Sequence, residues 1–290
     1  MIGVSKVTYL SFDTDTEWRS NTMFGSIGFI GTGTMGSAVA RAAVKGAPEA
    51  SILLANRTPA KAEALAQALG CQISDNETVA RTCSLIFLGV KPQMMGKLLE
   101  SLAPILAARS DRFVLASMAA GLDAQHIQTM AGGNYPVICF MPNTPVAVGA
   151  GVVQYYGQDA TEEELAAFQA LLSPAGLVDR VNPDRLNAAS AVSGCGPAFC
   201  AIFIEAIADG GVACGLPRDK ALAYAAQIAA GSARMVLESG KHPGALKDAV
   251  CSPGGTTIQG VRTLEERGFR AAAMDAVIAA YEKTAELAKK

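Results

Sequence analysis

The chain has few of the residues that build metal sites and disulfide frameworks. Its 290 residues include two histidines, and its seven cysteines are scattered without any C-x-x-C pair. Structural zinc sites draw their ligands from closely spaced Cys and His residues, so the sequence predicts no metal site. An odd number of scattered cysteines is typical of reduced thiols, which favours a cytoplasmic protein.

Charge and long apolar runs are also scarce. Charged residues make up 17% of the chain and the net charge is −2, which does not favour a nucleic-acid or anionic-membrane partner. No uninterrupted apolar run reaches the roughly 18 residues of a membrane span, so we expect no membrane partner. Hydrophobic residues reach 50%, enough for a large core in one large or two ordinary domains.

The first 22 residues carry no structural periodicity. They lack the basic start and apolar core of a signal peptide, and Met23 stands just before the first predicted strand. We therefore treat residues 1–22 as a disordered or non-native leader. A regulatory arm is the alternative.

A glycine-rich turn follows the first apolar run of the chain, Ile27 to Ile30. Gly31, Gly33 and Gly36 have the G-x-G-x-x-G spacing, and an amphipathic Ala/Val segment follows them. In this pattern the first glycine permits a tight turn, the second lets a pyrophosphate approach, and the third allows close helix packing. The pattern predicts a dinucleotide site at a helix N-terminus. The alternative is a glycine-rich turn that binds nothing.

The second predicted strand, Ser51 to Ala55, ends without the acidic residue that usually holds an NAD ribose. Asn56, Arg57 and Thr58 stand there instead. A guanidinium pairs well with a 2′-phosphate, so the sequence favours NADP(H) over NAD(H), with NAD(H) still possible. A solvated loop arginine is the alternative for Arg57.

Strand and helix patterns continue to alternate beyond this point. A helix is expected from Pro59 to Leu69, and apolar strands at Ser84 to Val90, Phe113 to Ser117 and Val137 to Met141. Such continuous apolar runs are typical of parallel strands buried on both faces. Residues 23–182 are therefore predicted to form a doubly wound α/β dinucleotide-binding domain.

Strand signals disappear after Asp184. The rest of the chain, residues 183–290, reads as helices rich in Ala and apolar around much of their circumference, the first of them from Leu186 to Gly215. Helices of this kind must be buried on several sides, and about a hundred residues cannot cover them alone. We expect them to pack against a second subunit, most simply across a two-fold axis.

Several stretches in order resemble the pyrroline-5-carboxylate reductase family. They are GFIGTGTMG, FLGVKP from Phe87, MAAG from Met118, MPNTP from Met141, SGCGPAF from Ser193, ADGGVACGLPR from Ala208 and HPGALKDAVCSPGGTTI from His242. The resemblance runs from about Met23 to Leu287. The last stretch is the family's signature region and the most specific.

The resemblance implies an N-terminal Rossmann-like domain and an all-α C-terminal dimerisation domain that interlocks with a partner's. It implies reduction of the cyclic imine 1-pyrroline-5-carboxylate to L-proline with NADPH or NADH, the last step of proline biosynthesis. Family members are dimers and many form decamers, so dimer and decamer both stay open.

The resemblance also assigns positions to the cofactor. They are Ile30, Gly31, Thr32, Gly33, Thr34 and Met35 at the phosphates, beside Gly36 of the spacing; Asn56, Arg57 and Thr58 at the ribose; and Asn76, Gly89, Val90, Lys91, Pro92, Met118, Ala119 and Ala120 along the dinucleotide.

The substrate loop of the family corresponds to Ser252 to Thr257, with Ser252, Gly254, Gly255, Thr256 and Thr257 as binding residues. The loop precedes a predicted helix, whose first N–H groups, those of Gly255, Thr256 and Thr257, would be unpaired and suit a carboxylate. An ordinary helix cap is the alternative. Thr257 is the predicted catalytic residue, orienting the ring nitrogen and helping to supply its proton.

Two positions depart from the family pattern. Cys139 stands where many members have an arginine, and Cys195 replaces a serine of the S-G-S-G-P-A segment. Three other functions stay open: an NADP(H) sensor without turnover, a reductase of another cyclic imino acid, and a related F420-type NADP reductase or 3-hydroxyacid dehydrogenase. The last would need a lysine general acid after Asn187, and none follows in the required spacing.

Overall fold

The computed structural model describes residues 23–287. The predicted leader, residues 1–22, lies outside the described residues. Residues 23–197 together with 279–287 form one compact unit, and residues 198–278 form another. The domain boundary predicted between residues 182 and 183 stays a prediction.

The first unit alternates strands and helices. Its elements are β1 (Ser26–Ile30), α1 (Thr34–Gly46), β2 (Ser51–Ala55), α2 (Pro59–Leu69), β3 (Gln72–Ile73), α3 (Asn76–Thr82), β4 (Leu85–Leu88), α4 (Pro92–Ala107), β5 (Val114–Ser117), α5 (Ala124–Ala131), β6 (Val137–Pro142), β7 (Gly151–Gln158), α6 (Glu162–Leu172), β8 (Gly176–Arg180) and α7 (Leu186–Ser193).

The strands form one sheet in the order β3-β2-β1-β4-β5-β6-β7-β8. All neighbouring pairs are parallel except β6 with β7. The chain leaves β1 toward β2 on one side and returns to β4 on the other, so the topological switch point lies between β1 and β4. Ligands of open α/β sheets bind at the carboxyl ends of the strands at such a point.

The core lies on both faces of this sheet. Alternate residues of β1 and β4 pack on opposite sides: Phe29 and Phe87 belong to one buried cluster, Ile30 and Leu88 to the other. The rings of Phe29 and Phe87 stack with centroids 4.4 Å apart. Burial on both faces explains why the parallel strands read as continuous apolar runs.

The last part of this unit contains elements that the hydrophobic pattern did not single out. Strand β7 runs antiparallel to β6, and α6 leads to the edge strand β8. Glu164 of α6 is buried because Thr161 and Glu164 cap the helix reciprocally and Arg112 pairs with the Glu164 carboxylate at 2.6 Å. Because the buried face of α6 contains a glutamate, its apolar pattern is interrupted, and the helix is hard to predict from the sequence.

Helices alone make up the rest of the described chain. They are α8 (Gly196–Ala213), α9 (Arg218–Ser239), α10 (Pro243–Ala249), α11 (Thr256–Glu266) and α12 (Phe269–Leu287). An α/β unit followed by helices confirms the predicted fold class.

The helix predicted from Leu186 to Gly215 is broken into α7 and α8. Pro197 has no N–H with which to continue the helical hydrogen bond to the Ser193 carbonyl. The amide Nδ2 of Asn143 donates to that carbonyl instead, at 2.9 Å. The prediction of a single helix was therefore wrong, because Pro197 and the hydrogen bond from Asn143 to Ser193 outweigh the apolar composition of the segment.

The helical unit, residues 198–278, buries little by itself. Its small core consists of Ala208, Ala221 and Ala225. Large apolar side chains remain exposed, with Ile202 at 65% and Met274 at 61%. So much exposed apolar surface is typical of a face that packs against a partner.

The helical stretch Pro183–Ala213 is long and apolar enough to cross a membrane by length and composition alone. No such segment was expected from the sequence, because only uninterrupted apolar runs were considered. Glu205 and Asp209 interrupt the apolar run in this stretch. One such helix is weak evidence for a membrane, since a helix that packs against a partner meets the same criteria.

Candidate functional site

The glycine turn joins β1 to α1 at the switch point. Gly31 has φ +100°, and a Cβ there would lie 2.7 Å from the Gly89 carbonyl oxygen. A Cβ on Gly36 would lie 2.2 Å from the Gly31 carbonyl oxygen. Both positions therefore require glycine for the fold itself, the first for its backbone angle and both for close packing.

Gly33 differs from its two neighbours. It is the N-cap of α1 in an extended conformation, and a Cβ at this position would meet no atom within 4 Å. The N-cap makes no side-chain hydrogen bond to the first turn of α1. The positive end of the helix is therefore accessible beside open space, which suits the approach of an anion.

Thr32 is held between the turn and the end of β2. Its N–H donates to Oδ1 of Asn56 at 3.2 Å, and its carbonyl accepts from Oγ of Ser37 at 2.9 Å. The Asn56 amide donates in turn to the Thr58 carbonyl. Thr32 is 3% exposed, and its hydroxyl is the one buried side-chain oxygen without a partner among residues 23–287. A bound oxygen ligand would satisfy it.

A cleft of about 380 Å³ lies beside this turn, between α1 and α2. Ser37, Arg41 and Lys61 line it together with Thr32 and Gly33. Ser37, Arg41 and Lys61 are not among the cofactor residues predicted from the sequence. The signal was present in the helical period, since positions 33, 37 and 41 follow one face of α1.

The other predicted cofactor positions follow neighbouring strands. Gly89, Val90, Lys91 and Pro92 come directly after β4, and the Gly89 N–H donates to the Ile30 carbonyl at 2.8 Å. Met118, Ala119 and Ala120 come directly after β5. Asn76 begins α3, which Asp75 caps, and Arg57 and Thr58 follow β2 as exposed residues. Because these strands are parallel, the segments that follow them share one edge of the sheet.

The predicted substrate loop belongs to the helical unit. Gly254 has φ +68°, and a Cβ on Gly255 would lie 2.3 Å from the Ser252 hydroxyl oxygen, so the loop needs both glycines. Gly255 is the N-cap of α11 and makes no side-chain cap hydrogen bond. Thr256 and Thr257 are the first two helical residues, and both are exposed.

One part of the loop prediction was wrong. The Gly255 N–H was expected to be unpaired, but it donates to the Ser252 carbonyl at 3.0 Å. The loop closes on itself through this turn, so the N–H groups available to an anion start at Thr256, in the first turn of α11. His242 caps α10 through Nδ1, which accepts from the Gly244 N–H at 3.1 Å.

Asn143 of the MPNTP stretch was not predicted to have a role. It is 6% exposed; Nδ2 donates to the Ser193 carbonyl, and Oδ1 accepts from the Val152 N–H at 2.9 Å. Ser193 also donates from Oγ to Gln154 at 2.8 Å. Asn143 thus links the end of α7 to β7.

The two departures from the family pattern have different surroundings. Cys139 lies within β6, 2% exposed, and burial raises the pKa of its thiol to about 11. It is therefore a neutral core residue beside Tyr156. Cys195 lies half-buried in the break between α7 and α8. Among residues 23–287, no group of three His, Cys, Asp or Glu side chains is placed to hold a metal ion.

A doubly wound sheet with a glycine turn at its switch point is the architecture of a dinucleotide-binding protein. A family model described as "NADP oxidoreductase coenzyme F420-dependent" matches residues 26–121. A second, described as "Pyrroline-5-carboxylate reductase dimerisation", matches residues 183–287.

Whole-chain relatives specify the family. The chain is 41% identical to pyrroline-5-carboxylate reductase of Pisum sativum, over 90% of this chain and 96% of that protein. It is 39% identical to the enzyme of Escherichia coli, over 91% of this chain and 98% of that protein. The chain belongs to the pyrroline-5-carboxylate reductase family.

Solved structures agree with this assignment. A Plasmodium falciparum pyrroline carboxylate reductase with NADP bound superposes with a TM-score of 0.79 at 30% identity, covering 91% of this chain and 98% of that chain. The Coxiella burnetii enzyme superposes with a TM-score of 0.83 at 29% identity, covering 90% of this chain and 97% of that chain. The helical region is a dimerisation domain, so the exposed apolar helices belong to a homo-oligomer.

Proposed function

We propose that the protein reduces 1-pyrroline-5-carboxylate to L-proline with NADPH. The observation that carries the proposal is the 41% identity over 96% of the pea reductase, which includes both the glycine turn and the SPGGTT loop. The geometry of the two segments is compatible with this chemistry. The glycine turn presents the accessible N-terminus of α1 next to the buried Thr32 hydroxyl. The SPGGTT loop presents the accessible N-terminus of α11 after two glycines.

The cofactor site in this proposal uses the segments after β1, β2, β4 and β5. The N-terminus of α1 holds the diphosphate, and the Thr32 hydroxyl donates to one of its oxygens. Asn56, Arg57 and Thr58 surround the adenosine ribose, with the other predicted positions along the rest of the dinucleotide. Because Arg57 is a cation and no carboxylate follows β2, NADP(H) is preferred and NAD(H) is accepted more weakly.

The Arg57 assignment has a direct test. Arg57→Ala should weaken binding of NADPH about tenfold, the effect of one charge-assisted hydrogen bond, and leave NADH binding almost unchanged. Titration calorimetry with each nucleotide measures both values. Equal losses for the two nucleotides would mean that Arg57 does not contact the 2′-phosphate.

The substrate site in this proposal is the loop from Ser252 to Thr257. The N–H groups from Thr256 onward, at the positive end of α11, bind the substrate carboxylate, and Gly254 and Gly255 allow the close approach. The Thr257 hydroxyl hydrogen-bonds the ring nitrogen. Threonine is too weak an acid to act alone, so Thr257 orients the imine and relays a proton.

The reaction then depends mainly on positioning. NADPH, when bound, supplies the hydride that reduces the imine carbon. A protonated ring nitrogen makes that carbon electrophilic, and the electron pair of the C=N bond passes to nitrogen as the hydride arrives. The protein residues fix the ring and keep its nitrogen hydrogen-bonded, which lowers the entropic part of the barrier.

The organisation of the whole protein is part of the proposal. We assign residues 23–182 to the dinucleotide-binding domain and 183–290 to the substrate and dimerisation domain, with residues 1–22 as a leader. We place the enzyme in the cytoplasm, as a homodimer that can assemble further into a decamer. Neither a nucleic acid nor a membrane is a partner.

Loss of nicotinamide absorbance with 1-pyrroline-5-carboxylate tests the proposal. Turnover should be robust with NADPH, slower with NADH, and should yield proline. The six-membered imine piperideine carboxylate serves as the comparison substrate. Faster turnover of the larger ring would change the assigned substrate, and tight NADPH binding without turnover of either imine would make the protein a sensor.

A further inference from the structure

Two buried hydroxyl groups fasten the ends of the β5–α5 loop, residues 118–123. At its start, Oγ of Ser117 accepts from the Ala119 N–H at 3.3 Å. At its end, the phenol oxygen of Tyr156 accepts from the Ala124 N–H, also at 3.3 Å. Ser117 is 1% exposed and Tyr156 is 8% exposed. The site described above uses neither side chain.

The two hydroxyls belong to one row of polar side chains that crosses three strands. Ser117 of β5 is the register partner of Cys139 in β6, and Cys139 is the partner of Tyr156 in β7. Register partners on neighbouring strands point to the same face of a sheet. Helix α5 covers this face, since Cys139, Tyr156 and Ala124 belong to one buried cluster. The sheet therefore holds both anchors of the loop on one rigid surface.

The thiol in the middle of the row leaves space for the phenol. Burial raises the pKa of Cys139 to about 11, and a hydrogen bond from Tyr156 opposes part of this rise. Burial also raises the pKa of Tyr156, so both groups are neutral near pH 7. The phenol can accept from Ala124 and donate its own proton to the sulfur. An arginine, which many family members have at position 139, is larger and charged, so the row depends on the small neutral thiol.

The β5–α5 loop has little internal structure to hold it in place. Between its anchors, the Leu122 N–H donates to the Ala119 carbonyl at 3.3 Å, and Gly121 adopts φ +82°. Glycine permits this backbone angle but does not restrict the chain to it. The position of the loop therefore depends on where its two ends are attached.

The strand order places this loop on the side of the reactive half of the cofactor. In the proposed function the adenosine ribose lies after β2 and the diphosphate after β1, and the sheet continues with β4 and β5. A dinucleotide that crosses the switch point extends in the same direction, so its nicotinamide lies toward the segment after β5. The small side chains of Ala119 and Ala120 leave room there for a flat ring.

We propose that Ser117 and Tyr156 are positioning residues that hold the β5–α5 loop against the nicotinamide of bound NADP(H). The inference rests on the proposed function and names residues that support the same site from behind. Hydride transfer is sensitive to displacements of about 1 Å, whereas the affinity for the cofactor depends mainly on its phosphates. Loss of either hydroxyl should therefore slow the reaction more than it weakens cofactor binding.

Tyr156→Phe and Ser117→Ala each remove one anchoring hydroxyl. Each should lower kcat for imine reduction about tenfold and change the dissociation constant for NADP⁺ less than about twofold. The kinetic isotope effect with NADPH deuterated at the transferable position should increase, because hydride transfer becomes slower relative to the other steps. Ser117→Thr keeps an acceptor oxygen and should restore most of the rate.

Tyr155→Phe is the matched control. Tyr155 is the neighbouring residue of β7, buried on the opposite face of the sheet, and its phenol donates to Oε1 of Gln169 at 3.1 Å. This variant also loses a buried phenol hydroxyl but leaves the loop anchored, so its kcat should stay within about twofold of the wild type. Equal losses of kcat in Tyr155→Phe and Tyr156→Phe would overturn the inference, since general stability would explain both.

Hydrogen exchange of the NADP⁺-bound protein measures the loop without turnover. In Tyr156→Phe, the peptide that contains Ala124 should exchange about tenfold faster than in the wild type, and in Tyr155→Phe it should not. Unchanged exchange and kcat in both anchor variants, or weaker NADP⁺ binding with normal kcat, would overturn the inference. Failure of the wild type to reduce the imine would contradict the proposed function, and the exchange measurement would still decide whether the hydroxyls hold the loop.

Discussion

Two glycines of the same turn should respond in opposite ways to the addition of one methyl group. A Cβ on Gly33 meets nothing within 4 Å, whereas a Cβ on Gly36 would lie 2.2 Å from the Gly31 carbonyl oxygen. Carbon and oxygen atoms touch at roughly 3.3 Å, so Gly36→Ala must displace α1 or the turn by about 1 Å. Gly33→Ala displaces nothing in the protein itself.

The expected energies follow from these distances. Overpacking costs about 1–3 kcal/mol, so Gly36→Ala should lower the free energy of unfolding by about 1–3 kcal/mol. At Gly33, loss of a good N-cap residue costs about 0.5–1 kcal/mol, and the stiffer unfolded chain returns about 0.4–1 kcal/mol. The stability of Gly33→Ala should therefore remain within about 1 kcal/mol of the wild type.

At Gly33 the added methyl group should lower the affinity for NADP⁺, although it changes stability little. Its Cβ occupies the space through which a phosphate would reach the N–H groups of α1, so Gly33→Ala should raise the dissociation constant for NADP⁺ at least about tenfold. Gly25→Ala is the control, because a Cβ there also meets nothing within 4 Å but lies before β1, away from the turn.

The assays are urea unfolding followed by circular dichroism and calorimetric titration with NADP⁺. All variants are compared at one protein concentration, because the stability of an oligomer depends on it. Normal NADP⁺ affinity in Gly33→Ala would refute the assignment of this turn to the phosphates. Unchanged stability in Gly36→Ala would refute the close packing of α1 on the turn.

Three further predictions concern catalysis, the α7–β7 connection and assembly. Thr257→Ala should lower kcat about tenfold with unchanged NADP⁺ affinity, and Thr257→Ser should restore most of the rate; a normal kcat in the alanine variant would remove the hydroxyl from the mechanism. Asn143→Leu leaves the Val152 N–H and the Ser193 carbonyl without partners and should lower the free energy of unfolding, measured in urea, by about 2–4 kcal/mol; an unchanged value would contradict the link between α7 and β7. Light scattering should show at least a dimer, and a stable monomer would contradict the interface assigned to the exposed helices.

The parts of the fold that could be predicted from sequence depend on local patterns. β2 and α2 have the predicted bounds because an apolar run ends at Asn56, Pro59 suits the first turn of a helix, and Gly70 adopts φ +70° at its end. β4 is three residues shorter than predicted, and β5 begins one residue later than predicted, because the apolar character of the sequence extends beyond the strands. The glycine turn was predicted from its spacing together with the apolar run before it and the amphipathic segment after it.

The parts that could not be predicted depend on contacts distant in sequence. The break between α7 and α8 depends on Asn143, which lies 50 residues before its acceptor at Ser193, as well as on the local signal of Pro197. Gly89 approaches Gly31 because β1 and β4 are neighbours in the sheet, which the G-x-G-x-x-G pattern does not contain. Arg41 follows from the helical period of α1, whereas its position near Lys61 depends on the packing of α1 beside α2.

Transfer of a deuterium label from NADPH to the substrate shows whether the protein reduces the imine by hydride transfer. The protein is incubated with 1-pyrroline-5-carboxylate and NADPH deuterated at the transferable position of the nicotinamide, and the product is analysed by mass spectrometry. The product should be L-proline with a single deuterium on the ring carbon that was the imine carbon, in an amount equal to the NADPH consumed. NADPH consumption without labelled proline, or no consumption by a protein that binds NADPH, would show that the protein does not reduce this imine.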